Sequence, residues 1–481
     1  MRRRDFIKAT AAATLLASVD TPALARKAGR QGRVRLKVGI LSDIHIKLID
    51  PGSVDTFVKA LEFYRDQRVD AVLIAGDMAD TGMAAELRMV ADAWYKVFPD
   101  DKLPDGTAVE KLFVYGNHDI EAWKYGYVKK RSNHEEIKAD RLVKDRAAIW
   151  EELFHEPWSP IYIKDVKGYK FIGGHFANNK NMPGLEEFLR RHASELPAPG
   201  RPFFYFQHTH PKETCSGPWV WGQDNGEVTA LLSEYPNVIS FSGHSHTMLT
   251  DERVIWQGAF TSVGTASLSY VGGLGGRENS TLFGSSDKTV RQMAQARGRD
   301  AHHGMLMTVY DDQVLLRRRD FGRDEDLGDD WVIPTSVFSR PLAYGRRAEK
   351  ELSPEFGRGA AVSTARHSGK DRGGTALEQM SVTFPTAPRT GGTPRALDYE
   401  VCVEVEDVDT WKTVLTKRVY SETVWLSDKA DAGGTVRCEF GLFELPAGRP
   451  FRFAVRPCAC FGHKGEPIFS DTMSVEMSGQ V

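Results

Sequence analysis

Between residues 34 and 241, short apolar runs alternate with segments of helical spacing. Short apolar runs bounded by turn residues are typical of buried strands, and apolar residues three or four apart indicate amphipathic helices. The predicted strands are 34–41, 71–75, 112–115, 170–174, 203–206 and 238–241, and the predicted helices are 54–67, 84–98, 141–154, 184–196 and 226–234. Strands and helices in alternation predict an α/β fold, with a sheet core and helices outside it.

After residue 246 the pattern changes to one typical of β-structure. Further strands are predicted at 254–256, 259–263, 305–310 and 314–319, with a long Gly-, Ser- and Arg-rich stretch at 272–304. A loop of that length inside a domain is usually functional or disordered. From about residue 380 every predicted element is a strand: 381–384, 399–405, 414–420, 436–443, 451–456 and 473–477. Short strands separated by Pro and Gly predict a β-sandwich.

The chain of 481 residues is long for one domain, so two are expected. We predict a catalytic α/β domain at 34–339, a linker at 340–355 and an all-β domain at 356–481. The approach of Leu445-Pro446-Ala447-Gly448 to the strand at Phe451 resembles that of a late strand in fibronectin type III domains. That resemblance implies a fibronectin type III-like sandwich.

The first 25 residues are typical of an export signal. A basic segment, Arg3-Arg4-Asp5-Phe6-Ile7-Lys8, precedes a short apolar run and the small-residue site Ala23-Leu24-Ala25. The basic segment resembles the twin-arginine signal, which implies export of a folded protein to the periplasm or beyond. A disordered basic tail is the alternative. The run is too short for a mature membrane anchor, and no other stretch is long and apolar enough to be one.

Composition narrows the possible partners. A formal charge of −2 and a pI near 6.7 give no electrostatic reason to expect a specific nucleic-acid partner. Five cysteines are too few for a disulfide scaffold, and none lies among the candidate ligands below, which argues against a thiolate zinc site. Four of them lie in the C-terminal β-region, where an oxidising compartment could pair two.

Seven potential metal ligands follow the predicted strands in a fixed order. Five of the strands end directly in these residues, and open α/β folds place their sites at the carboxyl ends of strands. They are Asp43 and His45 in Leu-Ser-Asp-Ile-His, Asp77 in Ile-Ala-Gly-Asp, Asn117 in Tyr-Gly-Asn-His-Asp, His208 in Phe-Gln-His-Thr-His-Pro, and His244 and His246 in Gly-His-Ser-His. Carboxylate, imidazole and amide donors suit Zn²⁺, Mn²⁺ or Fe²⁺.

The spacing of these residues predicts how the donors converge. In Asp43-Ile44-His45, the alternation of an extended strand end would point both donors to one side, and His244 and His246 would do the same. Asp77 after Gly76 is the candidate for bridging two ions. Two ions about 3.5–4 Å apart clamp a phosphoryl oxygen and activate water, so the residues indicate metal-assisted ester hydrolysis.

Each motif also has an ordinary structural explanation when taken alone. Asp43 could be a helix N-cap, Asn117 a turn residue, and His244 and His246 surface histidines. His210 competes with His208 for the ligand role, but His208 directly follows its strand. The joint order of all seven favours a metal centre over these separate explanations. His175, His302 and His303 are predicted to be ordinary histidines.

The ordered motifs, from Asp-x-His through Gly-Asp-x-x-Asp and Gly-Asn-His-Asp to Gly-His-x-His, resemble the calcineurin-like metallophosphoesterase superfamily over residues 34–339. The resemblance implies two packed β-sheets flanked by helices. It implies one ion held by Asp43, His45, Asp77 and His246, and a second held by Asp77, Asn117, His208 and His244. His118 would protonate the leaving oxygen or bind phosphate, and Asp80 would orient it. Thr81-Gly82 and Asp119 depart from the protein-phosphatase branch, and Asp80 replaces the Tyr of purple acid phosphatases.

The resulting functional hypothesis is a two-metal hydrolase of a small phosphomonoester or phosphodiester. A secreted nuclease or a phospholipid-type phosphodiesterase is the alternative within enzymes. A binding module that kept the fold and its metal is the alternative outside them. Decayed sites usually lose ligands, and the full set of seven favours the enzyme. The sequence does not identify the substrate or the metal.

Overall fold

The structure is a computed structural model that describes residues 32–217, 220–272, 290–292, 297–336, 339–370, 374–390 and 392–475. The α-helices are α1 Pro51–Asp66, α2 Ala84–Val97, α3 Asn117–Glu121, α4 His134–Ala139, α5 Arg141–Lys144, α6 Arg146–Phe154, α7 Leu185–Arg191, α8 Glu227–Leu232, α9 Tyr344–Lys350 and α10 Asp428–Asp431. The predicted signal segment lies outside the described residues. In the described part of the chain, no helix has both the length and the apolar character needed to span a bilayer.

Twenty-three strands accompany these helices in the described ranges. The first sixteen are β1 Leu36–Leu41, β2 Ala71–Ala75, β3 Glu110–Val114, β4 Ile161–Val166, β5 Tyr169–Gly174, β6 Phe203–Phe206, β7 Val238–Ser242, β8 Ile255–Gln257, β9 Thr261–Gly264, β10 Val271–Gly272, β11 Val290–Gln292, β12 Arg297–Gly298, β13 His303–Val309, β14 Gln313–Asp320, β15 Glu325–Asp326 and β16 Trp331–Pro334. The others are β17 Ser363–Lys370, β18 Ala376–Pro385, β19 Asp398–Asp407, β20 Thr410–Val419, β21 Thr435–Gly441, β22 Phe451–Cys458 and β23 Ile468–Phe469.

Two mixed sheets form the centre of the N-terminal part. The first has the strand order β15-β14-β13-β1-β2-β3, with β16 also paired to β14, and the second has the order β4-β5-β6-β7-β9-β8. Strands β1, β2 and β3 are parallel, and so are β5, β6, β7 and β9. Parallel neighbours bring the carboxyl ends of successive strands to one edge of each sheet, which is where the candidate ligands follow.

The sheets pack face to face, and helices cover both outer faces. In β2, Ala71, Leu73 and Ala75 lie in the cluster between the sheets, whereas Val72 and Ile74 face the cluster that contains α1 and α2. The outer face of the second sheet packs against α7 and α8. Alternate side chains of a strand point to opposite faces, so these strands are apolar throughout. The predicted α/β fold of two packed sheets flanked by helices is confirmed.

Helix α1 shows how local sequence and packing agree. Asp50 caps its first turn by accepting from Gly52 N at 3.1 Å, and Pro51 occupies the first helical position. Its buried face includes Phe57, Leu61 and Tyr64, and the Tyr64 hydroxyl donates to main-chain oxygens of β1 and β13. The helix is thereby fixed over the strand that leads to Asp43.

Two strands show where the predicted secondary structure needs correction. Strand β4 was not predicted, because Lys164 and Asp165 interrupt its apolar pattern at a sheet edge. Its signal was the turn at Lys167-Gly168, where both residues have positive φ and join β4 to β5 as a hairpin. The predicted strand at 473–477 is wrong: β23 pairs with β22 instead, and Met473 and Val475 make only isolated bridges. The last residues of that prediction lie outside the described ranges.

The described residues of the C-terminal part are mainly β, as predicted, with the short helix α10 and a 3-10 helix at Leu442–Glu444 between strands. A three-stranded sheet, β17-β18-β21, faces a sheet of order β11-β20-β19-β22-β23. Apolar side chains of both, such as Val382 and Phe440 from one and Val401 and Phe453 from the other, form a common core. All five cysteines are buried. The fibronectin type III assignment and the domain limits stay predictions.

The two parts of the chain share an interface. Val424 and Trp425 of the C-terminal part join the same hydrophobic cluster as Met248 and Leu249, and Thr250 Oγ1 donates to the Val424 carbonyl at 2.7 Å. The segment predicted as a linker contains α9. From α9, Arg347 forms an ion pair with Glu252.

Glu252 connects several elements at this interface. Its carboxylate accepts from Arg318 Nη1 at 2.7 Å, from Trp331 Nε1 at 2.8 Å and from Arg347. Burial alone raises the pKa of this carboxyl, but the charges of Arg318 and Arg347 outweigh it and lower the pKa from 4.5 to about 2. The contacts therefore stabilise the fold when Glu252 is ionised.

The Glu252→Gln variant is expected to lose stability and part of its acid sensitivity. The wild type gains stability from the ionised carboxylate above the unfolded pKa of 4.5 and loses it as pH falls toward 2. Because the side chain is 35% exposed, we expect a loss of only about 1–2 kcal/mol near neutral pH. Thermal unfolding at pH 7 and pH 3 measures this. Exposed Glu349→Gln in α9 is the control, and equal behaviour of the two variants would contradict the assignment.

Candidate metal centre

All seven predicted ligands lie together, at the edge where the carboxyl ends of the two sheets meet. Asp43 and His45 follow β1, Asp77 follows β2, and Asn117 follows β3. From the second sheet, His208 follows β6, and His244 and His246 follow β7. None of the seven is more than 6% exposed. Ordinary surface histidines or turn residues would not be buried in this way.

The backbone places these side chains by a route that the sequence did not predict. Asp43, His45, His244 and His246 all have φ between 49° and 72°, in the left-handed region. The expectation that extended strand ends point the donors to one side is therefore wrong. Asp and His tolerate this region better than most residues, and such strain clusters at functional sites. Tight left-handed turns are what bring both donors of each pair inward.

Asp77 also has a left-handed backbone, with φ of 55°. Gly116 permits its position, because a Cβ at residue 116 would lie 2.2 Å from Asp77 Oδ1. The Gly of Gly-Asn-His-Asp is thus required by close approach of the two strand ends, in addition to any role in a turn.

The ligand atoms form overlapping groups. Asp43, His45 and His246 make one, with His246 Nε2 at 3.0 Å from Asp43 Oδ1 and 3.3 Å from His45 Nε2. Asp77, His208 and His244 make another, with His208 Nε2 at 3.1 Å from both Asp77 Oδ2 and His244 Nδ1. Each group gathers nitrogen and carboxylate oxygen donors within the reach of one cation.

Asp77 lies between the two groups. Its Oδ2 is 3.1 Å from His208 Nε2 and 3.8 Å from His45 Nε2, and its Oδ1 accepts from the main-chain N of His118 at 2.8 Å. Asp77 also forms a third possible group with His45 and His118. This position agrees with the bridging role predicted for it.

Main-chain carbonyls determine which nitrogen each imidazole presents. His208 Nδ1–H donates to the Ala75 carbonyl at 2.8 Å, and His246 Nδ1–H donates to the Tyr270 carbonyl at 3.1 Å. In both rings the proton therefore lies on Nδ1, and the Nε2 lone pair faces the cluster. Metal-binding histidines are usually held by such a bond.

Asn117 contributes a buried oxygen that has no hydrogen-bond partner in the described ranges. Its Nδ2 donates to the Tyr125 hydroxyl at 2.7 Å, which leaves Oδ1 free to act as a ligand. A buried amide oxygen without a partner is costly, and a cation would satisfy it. This orphaned oxygen and the convergent lone pairs show that the residues fit a metal ion.

Neighbouring histidines strongly lower the pKa values of two carboxylates in the cluster. Burial favours neutral Asp43 and Asp77, but interactions with the neighbouring His246 and His208 outweigh it and hold both pKa values well below their usual range. The two carboxylates are thus ionised and available as ligands at neutral pH.

His118 is oriented differently from the expectation. Its Nδ1–H donates to the main-chain carbonyl of Asp80 at 2.8 Å, whereas the Asp80 carboxylate lies 3.5 Å from His45 Nδ1 and accepts from Arg131 at 3.0 Å. The prediction that the Asp80 side chain orients His118 therefore needs correction, because the left-handed turns bring His45 to that carboxylate. His118 itself packs edge-on against His45, with ring centroids 4.5 Å apart.

Several residues at the site were not found from the sequence. Tyr125 bonds Asn117, Tyr127 Oη lies 3.3 Å from His118 Nδ1, and Arg131 pairs with Asp80. Half-exposed Trp221 stacks on His244 with ring centroids 4.5 Å apart. The Tyr-Gly-Tyr sequence shortly after Gly-Asn-His-Asp was an available signal for the first two, but Arg131 and Trp221 have none that is local.

The remaining histidines separate as the strand positions indicated. His210 bonds Ser242 Oγ at 2.7 Å and lies outside the three donor groups, whereas His208 is inside one. His175 accepts from Tyr115 N, and His303 accepts from Leu249 N. His302 Nδ1 donates to the Leu268 carbonyl at 2.7 Å.

Comparison with known proteins gives one family match and several distant structural likenesses. The family model for calcineurin-like phosphoesterase matches residues 36–248. No curated protein matches the chain. Among solved structures, a dimetal phosphatase from Danio rerio is similar at 14% identity with a TM-score of 0.36, covering 63% of this chain and all of that one.

Two further structures show likeness at the same low level. GAP50 of Plasmodium, described as the anchor in the inner membrane complex, is 13% identical with a TM-score of 0.39, over 63% of this chain and 89% of that one. An archaeal phosphodiesterase is 12% identical with a TM-score of 0.24, over 62% of this chain and all of that one. These likenesses are too distant to assign an activity.

The family match covers the same part of the chain as the candidate metal ligands. Residues 36–248 contain every predicted ligand and both predicted catalytic residues. Residues 36–248, the part of the chain that the family model matches, are therefore similar to a calcineurin-like phosphoesterase domain, and this match supports a hydrolase of phosphate esters.

Proposed function

We propose that the protein is a two-metal hydrolase of small phosphomonoesters or phosphodiesters. The observation that carries the proposal is the position of Asp77 between two groups of buried nitrogen and oxygen donors. One carboxylate shared by two ligand groups suits a pair of ions better than a single ion.

The residues that would hold the ions follow from the groups and from the resemblance. Asp43, His45, Asp77 and His246 would hold one ion, and Asp77, Asn117, His208 and His244 the other. Mn²⁺, Fe²⁺ and Zn²⁺ suit such mixed oxygen and nitrogen donors. When bound, the ions supply positive charge for the phosphoryl oxygens and a means of activating water.

The protein's own residues would orient the ligand His45 and protonate the leaving oxygen of the substrate. His118 is fixed through Nδ1, so its Nε2 is the atom free to give a proton to a leaving oxygen or to bind a phosphate oxygen. The Asp80 carboxylate lies 3.5 Å from His45 Nδ1 and would orient that ring, and Arg131 pairs with Asp80. Carboxylate contacts to a ligand histidine fix the direction of its ring.

The substrate is proposed only by class. The near-neutral overall charge of the protein supports a small ester over a nucleic acid as substrate. A nuclease or a phospholipid-type phosphodiesterase stays the alternative among enzymes. A binding module that retains metal is the alternative outside enzymes. The burial and completeness of the donor set favour catalysis over that alternative.

A substrate panel tests this proposal. Protein from residue 26 onward is stripped of metal, reloaded with Mn²⁺, Zn²⁺ or Fe²⁺, and assayed on chromogenic phosphomonoesters and phosphodiesters. We expect hydrolysis that depends on the added metal and two ions per chain by elemental analysis. A single tightly bound ion would contradict the two-metal centre, and no turnover with any ion or ester would contradict the hydrolase.

We also propose that the chain is exported folded through the twin-arginine route, with residues 1–25 removed. Replacing Arg3-Arg4 by Lys-Lys is then expected to leave the precursor in the cytoplasm, because the paired arginines are the recognised element. Fractionation of expressing bacterial cells measures this, with Lys8→Arg, which keeps the charge outside the pair, as control. Unchanged export of the Lys-Lys variant would point to the general secretory route.

A further inference from the structure

A cavity of about 580 Å³ opens beside the candidate metal centre. We call it the Lys47 cavity. The described residues that line it are Ile44, Lys47, Asp50, Gly52, Ser53, Thr56, Leu268, Ser269, Tyr270, Arg299 and His302. Its volume lies in the range of small-molecule sites, about 300–1,000 Å³.

One wall of the cavity is shared with the metal centre. The Tyr270 ring lines the cavity and packs on His246, with ring centroids 4.4 Å apart, and the Tyr270 carbonyl accepts from His246 Nδ1. Next to it, Ser269 N donates to the Asp43 carbonyl at 3.0 Å. The Tyr270 ring would thus separate a group bound in the cavity from His246.

Two cations of the cavity wall have no partner in the described part of the chain. Neither the Lys47 ammonium nor the Arg299 guanidinium forms an ion pair or a side-chain hydrogen bond there, although both line the cavity. By contrast, Arg131 on the other side of the centre is paired with Asp80. Unpaired cations facing a cavity favour an anionic ligand.

The opposing groups do not cancel this charge. Asp50 is the one carboxylate among the described lining residues, and it already accepts from Gly52 N as the cap of α1. His302 donates Nδ1–H to the Leu268 carbonyl. The first main-chain amides of α1 are not available to bind an anion, because Gly52 N and Ser53 N both donate to Asp50. Two cations thus face one carboxylate.

Lys47 links the cavity to the reacting centre. It lies two residues after His45, and Ile44, which lies between the ligands Asp43 and His45, lines the same cavity. Because the cavity adjoins the metal centre, an anionic group held by Lys47 and Arg299 would be a second group of the substrate molecule whose ester is cut at the metals. The guanidinium fork and ammonium together suit the several oxygens of a phosphate better than a single carboxylate.

We propose that the Lys47 cavity binds a second phosphate group on the leaving part of the substrate. The preferred substrates are then small esters whose leaving group itself carries a phosphate. This inference rests on the proposed function, because it takes the metal centre as the place where the ester is cut. It makes Lys47 and Arg299 determinants of specificity.

Binding of three matched ligands tests the inference without requiring turnover. Propane-1,3-bisphosphonate, 4-phosphonobutanoate and propylphosphonate share one phosphonate and a three-carbon chain, and differ in carrying a second phosphonate, a carboxylate or neither. Affinities are measured by calorimetry on Mn²⁺-loaded protein. We expect the bisphosphonate to bind about tenfold to a hundredfold tighter than propylphosphonate, from charge-assisted contacts.

The double variant Lys47→Met/Arg299→Met is expected to lose most of that ratio. Lys59→Met, on an exposed part of α1, is the control and should keep it. A ratio unchanged in the double variant, or absent from wild type, would overturn the inference. Equal affinity for the carboxylate ligand would overturn the phosphate assignment.

Failure of the subsite can be told apart from failure of the proposed function. Metal-dependent hydrolysis of propyl phosphate together with an unchanged affinity ratio in the double variant would sink the subsite alone. A Lys47- and Arg299-dependent affinity ratio in a protein that hydrolyses no ester would support the subsite and sink the proposed hydrolase.

Discussion

Replacing Asp77 by alanine is expected to remove both metal ions and reduce ester hydrolysis to the uncatalysed background. Asp77 belongs to two of the three donor groups, and its Oδ2 lies 3.1 Å from His208 Nε2 and 3.8 Å from His45 Nε2. Without it, Asp43 would be the one remaining carboxylate among the proposed ligands to neutralise two cations. Elemental analysis after gel filtration, with activity on a nitrophenyl ester, measures both losses.

Asp43→Ala separates the bridging role from simple loss of a carboxylate. Asp43 belongs to the group with His45 and His246, so this variant is expected to lose one ion and keep the other. Asp66→Ala on the surface of α1 controls for the substitution itself. Circular dichroism must show that each variant is folded. Wild-type metal content in the Asp77 variant would refute the bridging assignment.

The His118→Ala variant is expected to keep its metal but hydrolyse esters about 10²–10⁴-fold more slowly. Its imidazole is held by the Asp80 carbonyl through Nδ1, so the variant removes the group placed to protonate the leaving oxygen. The loss should be smallest for nitrophenolate, which leaves without protonation, and largest for an alkoxide. Rates on esters with graded leaving-group pKa, at fixed metal loading, measure this dependence.

Two neighbouring variants sharpen the test of His118. Tyr127→Phe removes a hydroxyl 3.3 Å from His118 Nδ1, and we expect only a small effect because the Asp80 carbonyl still fixes the ring. Asp80→Asn should instead weaken metal binding about 10–100-fold, since that carboxylate faces His45. Equal losses for good and poor leaving groups in His118→Ala would favour phosphate binding over proton donation.

Much of the centre could be predicted from the sequence because each ligand directly follows an apolar strand. Periodicity finds such strands, and parallel strands bring their carboxyl ends to one edge. The order of Asp77 after β2, Asn117 after β3 and His208 after β6 was therefore informative without any knowledge of pairing. The same reasoning chose His208 over His210, which lies outside the donor groups.

Other features depend on contacts between residues far apart in the chain. The Asp80 carboxylate faces Arg131, 51 positions away, and local spacing carries no trace of that pair. Tyr270, in the segment between β9 and β10, packs on His246. Lys47 and Arg299 line one cavity although 252 positions separate them. Edge strand β4 escaped prediction because Lys164 and Asp165 interrupt its apolar pattern.

The sequence by itself determined the fold class, the seven ligand candidates and the kind of chemistry they support. It did so because strand periodicity and residue type are local properties. Tertiary structure decided the direction of each donor, through left-handed turns at Asp43, His45, Asp77, His244 and His246 that no pattern of polarity reveals. It also decided what Asp80 contacts and where the Lys47 cavity opens, because these depend on how two sheets and their loops meet in space.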